Sequence, residues 1–351
     1  MNNNKELRDI NIAKIQKLPT PAEYEINIPI SENQRSFIFE GRQSVINILS
    51  GRDDRLLAIV GPCSIHDVSA GIEYAKKLKT CAEKIESKIL ILMRVYFEKP
   101  RTTVGWKGMI YDPHLNGSLD IQEGLERARS FLSDVSNIGL LCATEFVDPI
   151  TPQYIADFVS WAAIGARTAE SQTHRQMASG LSMPVGIKNG TGGSIQLAAD
   201  AIVAANSKHG FLGVDEHGNA SIVMTNGNPN SHLVLRGGSS GPNYDESSVS
   251  EALKILNTSQ VSEKLIVDCS HANSNKDFKL EPIVFQDVLN QRLSGNENIA
   301  GVMIESHLNS GKQTLNENKP ELLEYGVSIT DSCLGWEQTE DLLLKAYRKL
   351  S

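Results

Sequence analysis

Leu56-Leu57-Ala58-Ile59-Val60 is an unbroken apolar run closed by Gly61-Pro62, and the polar residues Cys63, Ser64 and His66 follow at once. A run this short, apolar throughout and ended by turn residues, reads as a strand buried on both faces. Seven more runs of this kind recur along the chain: Ile89–Met93, Leu140–Ala143, Ala162–Gly165, Val185–Ile187, Leu233–Leu235, Leu265–Val267 and Ala300–Ile304. Helical patterns separate them. Asp120 and Glu123 suit a capping box opening a helix to about Leu132, and Thr151-Pro152 an N-cap and first position before Tyr154–Val159. A helix over Glu170–Ser179 is closed by Gly180 with Pro184 beyond, and a last one runs from Glu337 to about Leu350. Eight buried strands with matching helices predict an α/β fold, a closed (β/α)8 TIM barrel over residues 51–351.

Two segments break the rhythm. Residues 1–50 form an N-terminal extension, in which Glu23–Ile28 alternates like a short strand stopped by Pro29, and Ser31–Ile48 patterns as a helix. This extension is expected to make oligomer contacts. At about 211–225, Phe211–Val214, Asp215–Asn219 and Ala220–Thr225 read as a β-hairpin inserted between the fifth helix and sixth strand of the barrel.

Composition narrows the class of protein. An apolar fraction of 40% and a charged fraction of 22% describe a globular chain, and no apolar stretch approaches the ~20 residues a membrane span needs. Met1-Asn2-Asn3-Asn4-Lys5 lacks the pattern of a secretory leader, and the 5 cysteines are scattered and odd in number. A reducing, cytoplasmic setting is the expectation. The net charge of -8 disfavours nucleic acid and anionic membranes as partners, so any anionic substrate must be held by a local group of cations.

Barrel enzymes carry their chemistry where the strands end. Here those positions are Cys63, Arg94, Glu145, Arg167, Lys188, Arg236, His271 and Glu305, with Lys99 and Arg101 on the loop after Arg94 and Asp331 in the loop after the eighth strand. Singly, each cation reads as solvated surface charge. Together, Arg94, Lys99, Arg101, Arg167, Lys188 and Arg236 would repel one another at one mouth unless anions such as phosphate or carboxylate sat among them. The glycine-rich loops Asn189–Ser194 and Gly237–Gly241 can add backbone donors. Cys63, His271, Glu305 and Asp331 offer a thiolate, an imidazole and two carboxylates, a mixed set that suits a divalent transition ion without selecting one metal. Cys63 can alternatively be read as a nucleophile beside His66, or as a small core residue. Cys81, Cys142, Cys269 and Cys333 read as structural. The residues alone thus predict a barrel enzyme handling anionic, phosphorylated substrates with a metal as Lewis acid.

Around these strand ends the local sequence resembles a known family. The runs Gly61–His66, Met93–Gly108, Ala163–Thr168, Val185–Thr191, Leu235–Gly238, Asp268–Ser274, Gly301–Ser306 and Ser328–Asp331 are similar to the type I 3-deoxy-D-arabino-heptulosonate 7-phosphate (DAHP) synthases. The resemblance implies condensation of phosphoenolpyruvate with erythrose 4-phosphate, the first step of aromatic amino-acid synthesis. It places metal ligands on Cys63, His271, Glu305 and Asp331, with Mn2+ foremost and Fe2+, Co2+ or Zn2+ as alternatives. It places phosphoenolpyruvate contacts on Arg94, Lys99, Arg167, Lys188 and Arg236, with Glu145 beside them, and erythrose 4-phosphate contacts on Lys99, Pro100, Arg101, Thr102 and Thr103. Lys99 is implied as proton donor.

The resemblance further implies a homotetramer and feedback control by an aromatic amino acid. The effector pocket would use Asp148, Pro152, Gln153, Met177, Leu181, Ser182, Phe211, Gly213 and Val223. Phenylalanine-regulated members carry serine where this chain has Gly213, and Pro149 and Ser171–Pro184 look like tyrosine-regulated members, so tyrosine is the expected effector. The related 3-deoxy-octulosonate 8-phosphate synthases, and a catalytically dead amino-acid sensor on the same fold, are the competing readings. The Lys99–Thr103 run favours the shorter sugar, and no named ligand or cation is lost.

Overall fold

The computed structural model describes residues 7–351, so the Met1–Lys5 stretch lies outside the described residues. In chain order the strands are β1 (Leu56–Gly61), β2 (Ile89–Arg94), β3 (Leu141–Glu145), β4 (Val159–Ile164), β5 (Val185–Lys188), β6 (Gly210–Val214), β7 (Ala220–Met224), β8 (Ser231–Leu235), β9 (Leu265–Asp268) and β10 (Ile299–Glu305). All but β6 and β7 close into one parallel barrel in the order β1-β10-β9-β8-β5-β4-β3-β2. β6 and β7 pair antiparallel with each other, as the hairpin predicted from the sequence. At the closing seam Gly61 lies opposite Glu305, which brings the Cys63 turn beside the last strand's carboxylate.

The barrel interior is filled by side chains, as the fold requires. Leu57, Ile59, Leu92, Ala143, Trp161, Ala163, Val234, Ile266 and Met303 form one buried cluster. Trp161 is its largest member and donates from Nε1 to His232 Nε2 at 3.1 Å. Burial pulls His232 down to about 4, so its ring stays neutral and able to accept.

The expected strand at Glu23–Ile28 is instead the helix α1 (Pro21–Asn27). Local bonding explains it. Thr20 Oγ1 accepts from Glu23 N, Glu23 Oε2 accepts from Thr20 N, and Pro21 presets the first helical φ, so a complete capping box outweighs a brief alternation. α2 (Glu32–Leu49) follows from a second such box on Ser31 and Gln34. It stops the N-terminal end of the barrel: Val45, Ile48 and Leu49 join the interior cluster, and Arg42 donates to the carbonyls of Ala156 and Val159 at 2.7 and 2.9 Å.

α3 (Val68–Ile85) leads to α4 (Ile121–Ile138), which runs past Leu132 until Gly139 ends it at φ 88°. Asp120 caps α4 alone, because Glu123 pairs with Arg127 at 2.7 Å rather than closing a box. The helix expected to reach Val159 is only one turn, α5 (Pro152–Ile155), and a 3-10 turn then feeds β4. Thr151 does not cap it; its hydroxyl donates to Glu98 Oε1 at 3.3 Å. The remaining helices are α6 (Gln172–Gly180), α7 (Ile195–Ala205), α8 (Glu246–Thr258), α9 (Glu281–Leu293) and α10 (Trp336–Leu350). Among the described residues no helix is long and apolar enough to cross a membrane.

Candidate active site

Three side chains gather as a cage at a spacing that suits one ion, and a histidine faces them. Ligand atoms of Cys63, Glu305 and Asp331 all lie within 4.8 Å of one another. His271 Nε2 stands 3.7 Å from Glu305 Oε1, so the ring faces the same point. The opposite ring nitrogen, Nδ1, is 2.9 Å from Asp268 Oδ2; a carboxylate only accepts, so Nδ1 carries a hydrogen and Nε2 is the nitrogen that faces the cage. Burial and the Glu305 carboxylate push the Cys63 thiol up, and the same burial works against the charge of Asp331, which Lys99 and His271 nevertheless hold below the usual carboxylate range. A buried acidic thiol site crowded with carboxylates is relieved by a bound cation, which would draw the thiol toward thiolate. The donor set therefore fits a divalent ion.

The alternative pairing of Cys63 with His66 as a nucleophile does not form. His66 stacks edge-on with His307, with ring centroids 6.0 Å apart, and the Cys63 sulfur is engaged instead by Lys99 Nζ at 3.1 Å. All five cysteines are buried and free.

Against the cage lies a cavity of about 290 Å³. Lys99, Pro100, Arg101, Thr102, Thr103, Glu145, Arg167, Lys188 and Arg236 line it, along with His271 and Asp331. Cys63 and Glu305 form the buried wall behind. Arg94 is not at the surface of this cavity. As the last residue of β2 it is 1% exposed beneath the floor, where it donates to Pro62 O, Cys63 O and Glu305 Oε1 and stacks 3.5 Å over the Tyr96 ring. Its charge thus balances a cage carboxylate through Nη2, with Nε and Nη2 occupied, while Nη1 makes no hydrogen bond among the described residues.

The long loop after β2 is folded back by short contacts. Lys99 N bonds to Lys107 O at 2.8 Å, and Gly108 sits at φ 110° where any Cβ would collide with the Phe97 carbonyl. Arg101 donates to Trp106 O at 2.8 Å, and Thr102 Oγ1 accepts from Arg167 at 3.1 Å. Lys99 is half-buried at the cavity wall. Burial opposes its charge, but the sulfur of Cys63 and the nearby carboxylates raise its proton affinity overall, so it holds its proton in the resting site.

Two participants were missed from the sequence. Lys276 also lines the cavity, on a loop where His271, Asn275 and Lys276 all take left-handed φ values of 55°, 52° and 60°. Nothing in the sequence around it marks it apart from other polar-loop lysines. Asp268 lies behind both His271 and Lys188. Its spacing, three residues before a strand-end histidine, is the signal that could have found it.

A second cavity, of about 580 Å³, opens between α5, α6 and the hairpin. Pro152, Gln153, Met177, Leu181, Phe211, Gly213 and Val223 of the expected effector set line it. Asp148 and Ser182 do not. Asp148 is turned aside, its N–H given to Glu98 and its carboxylate capping Ile150 N at 2.8 Å.

A parallel barrel whose open end joins a sulfur, nitrogen and oxygen cage to a ring of cations belongs to the class of barrel enzymes that handle anionic substrates. The profile of the DAHP synthetase I family matches residues 27–344, and the chain belongs to that family. It is 47% identical to the Tyr-sensitive phospho-2-dehydro-3-deoxyheptonate aldolase of Escherichia coli (strain K12), across 98% of this chain and 96% of that one. With the Phe-sensitive enzyme of the same strain the identity is 50%, covering 95% of each. The structure of the phospho-2-dehydro-3-deoxyheptonate aldolase from Francisella tularensis SCHU S4 superposes with a TM-score of 0.94 at 46% identity, over 97% of this chain and 98% of that one. Overall identity does not separate the effector classes.

Proposed function

We propose that this chain condenses phosphoenolpyruvate with erythrose 4-phosphate and water, giving DAHP and inorganic phosphate, under feedback inhibition by tyrosine. The observation that carries the reading is a single cavity lined by Asp331 and His271 beside the cluster of Cys63, Glu305 and Asp331, and by Lys99, Arg101, Arg167, Lys188 and Arg236. One phosphate and one phosphorylated enol acid supply the anions such a ring demands.

Cys63, His271, Glu305 and Asp331 would hold a divalent ion, Mn2+ foremost, which when bound would supply Lewis acidity for a carbonyl oxygen. Arg167, Lys188 and Arg236 hold the carboxylate and phosphate of phosphoenolpyruvate, while Arg101, Thr102 and Thr103 hold the phosphate of the sugar. C3 of phosphoenolpyruvate bonds to the aldehyde carbon, water adds at C2, and phosphate departs. Lys99, half-buried and holding its proton, gives that proton to the hydroxyl that forms. Glu145 reaches the cavity over Gly165, where a Cβ would strike its carboxylate.

Tyrosine is favoured because Gly213 faces Val223: a Cβ built at 213 already approaches Val223 Cγ2 to 2.8 Å, and its absence leaves room for a phenolic hydroxyl. A homotetramer in the cytoplasm is supported by the outward face of the hairpin, where Leu212, Ile222 and Met224 are exposed, and by the free cysteines. Phosphate release assayed with both substrates tests the activity, repeated with tyrosine, phenylalanine and tryptophan. Chelation is expected to abolish turnover and Mn2+ to restore it. Full activity in a metal-free preparation, or inhibition by phenylalanine but not tyrosine, overturns the corresponding part. Light scattering checks the tetramer.

A further inference from the structure

Between the cage and the cation ring sits one carboxylate that touches neither cavity nor solvent. Asp268 ends β9 and is fully buried. Its Oδ2 is 2.9 Å from His271 Nδ1 and 2.9 Å from Lys188 Nζ, while Oδ1 accepts from Ser270 N at 3.0 Å and Ser270 Oγ at 2.6 Å. Every acceptor direction is therefore in use. One fully buried carboxylate thus serves two donors that reach it from separate strands, His271 after β9 and Lys188 at the end of β5.

The two donors belong to different tasks. His271 points its other nitrogen into the cage, and Lys188, rising from β5 across β8, points into the substrate cavity. Both are placed by the same oxygen.

We propose that Asp268 is a positioning residue that couples the divalent-ion site to the phosphoenolpyruvate site, fixing the tautomer and aim of His271 and the reach of Lys188 through Oδ2. An ion drawing on His271 Nε2 makes Nδ1–H a stronger donor to Oδ2. That oxygen then competes less well for the Lys188 ammonium, which is released toward the substrate anion. Phosphoenolpyruvate, in turn, pulls Lys188 away and leaves more of Oδ2 to hold the imidazole in its ligating orientation. Reciprocity follows, because binding free energies are linked. Without the carboxylate, a buried lysine and a cation-loaded imidazole would face each other unscreened.

This rests on the phosphoenolpyruvate and metal reading above. The test is Asp268→Asn in the full-length enzyme, isosteric but neutral, with Ser270→Ala as a gentler variant that removes the hydroxyl bond to Oδ1 together with its 3.0 Å contact to His271 Nδ1, and so reads the coupling through the phosphoenolpyruvate KM. Free Mn2+ is followed by its paramagnetic signal to give the metal affinity, and substrate constants are taken at saturating Mn2+. Asp268→Asn is expected to weaken Mn2+ binding about 10–100-fold and to raise the KM for phosphoenolpyruvate about tenfold, leaving the KM for erythrose 4-phosphate within about twofold. Ser270→Ala is expected to shift Mn2+ affinity and phosphoenolpyruvate KM in the same directions by about threefold, which decides the matter if the asparagine variant fails to fold. A variant that loses Mn2+ affinity with an unchanged phosphoenolpyruvate KM, or the reverse, overturns the coupling, as does no change in either. A wild-type enzyme inactive with both substrates instead strikes the proposed function.

Discussion

The cavity at the strand ends and the cavity under the hairpin are made of opposite materials. Lysines, arginines, a histidine and two carboxylates wall the first. No charged residue lines the second, where Pro149, Ile150, Met177, Leu181, Phe211 and Val223 shape an apolar slot. Charged groups out of water must each be answered by a partner, so the first cavity is tied by bonds of fixed length: Lys188 to Asp268, Arg94 to Glu305, Lys99 to Cys63. Apolar walls are held by packing and give way by degrees. The lesson is one of tolerance. Single atoms matter at the strand ends, and volumes matter beneath the hairpin.

The contrast can be broken at several points. The largest effect is expected from Lys99→Met, which removes the half-buried proton donor: kcat should fall about 10²–10⁴-fold while tyrosine affinity, measured by calorimetry, stays within about twofold. A matching loss of tyrosine affinity would mean the two cavities are not separately built.

Glu98 lies where they meet. Its backbone precedes Lys99, while its carboxylate accepts from Val147 N at 3.1 Å, Asp148 N at 3.0 Å and Tyr111 Oη at 3.1 Å, on the segment that enters the second cavity. Burial pushes this carboxyl from 4.5 up to about 7, with its backbone donors opposing. A raised carboxyl favours the fold most fully below its unfolded pKa, and that contribution is lost as pH rises through the folded value. Between pH 4.5 and 7 the loss amounts to at most about 3 kcal/mol, and Glu98→Gln should flatten this part of the stability profile in denaturant titrations. An unchanged slope would assign the pH dependence elsewhere.

The smallest effect sharpens the contrast from the other side. Gly213→Ser must push Val223 aside and should weaken inhibition by tyrosine about tenfold, roughly 1.4 kcal/mol, with kcat and both KM values unaltered. Steady-state inhibition curves give the answer. Equal inhibition in the variant would mean that the side chain at 213 does not meet the effector.

What the sequence disclosed follows the same division. Apolar runs ending in reactive residues could be read directly, because a barrel places chemistry where its strands stop; Cys63, Lys188, His271 and Glu305 were found that way. The depth of each residue could not be read. Arg94 ends its strand as Lys188 does, yet it lies stacked on the Tyr96 ring and bonded to Glu305, and only Lys188 lines the cavity. Asp268 was passed over because a strand ending in Asp looks like any polar terminus until His271 and Lys188 are seen to share it. The strand expected at Glu23–Ile28 failed for a local reason, since two reciprocal bonds on Thr20 and Glu23 outweigh three alternating side chains. The hairpin cavity has no motif, and only the family resemblance pointed to it. Packing shapes leave little trace in spacing.

The β6–β7 ribbon hydrogen-bonds to no strand of the cylinder, and Thr225 N meets His209 O at 2.9 Å where the ribbon leaves and rejoins the body. The two ends of the excursion are thus already stitched together. Such a geometry behaves as a cassette: the ribbon can be lengthened, reshaped or removed by edits confined to one loop, with the cylinder keeping its closure throughout.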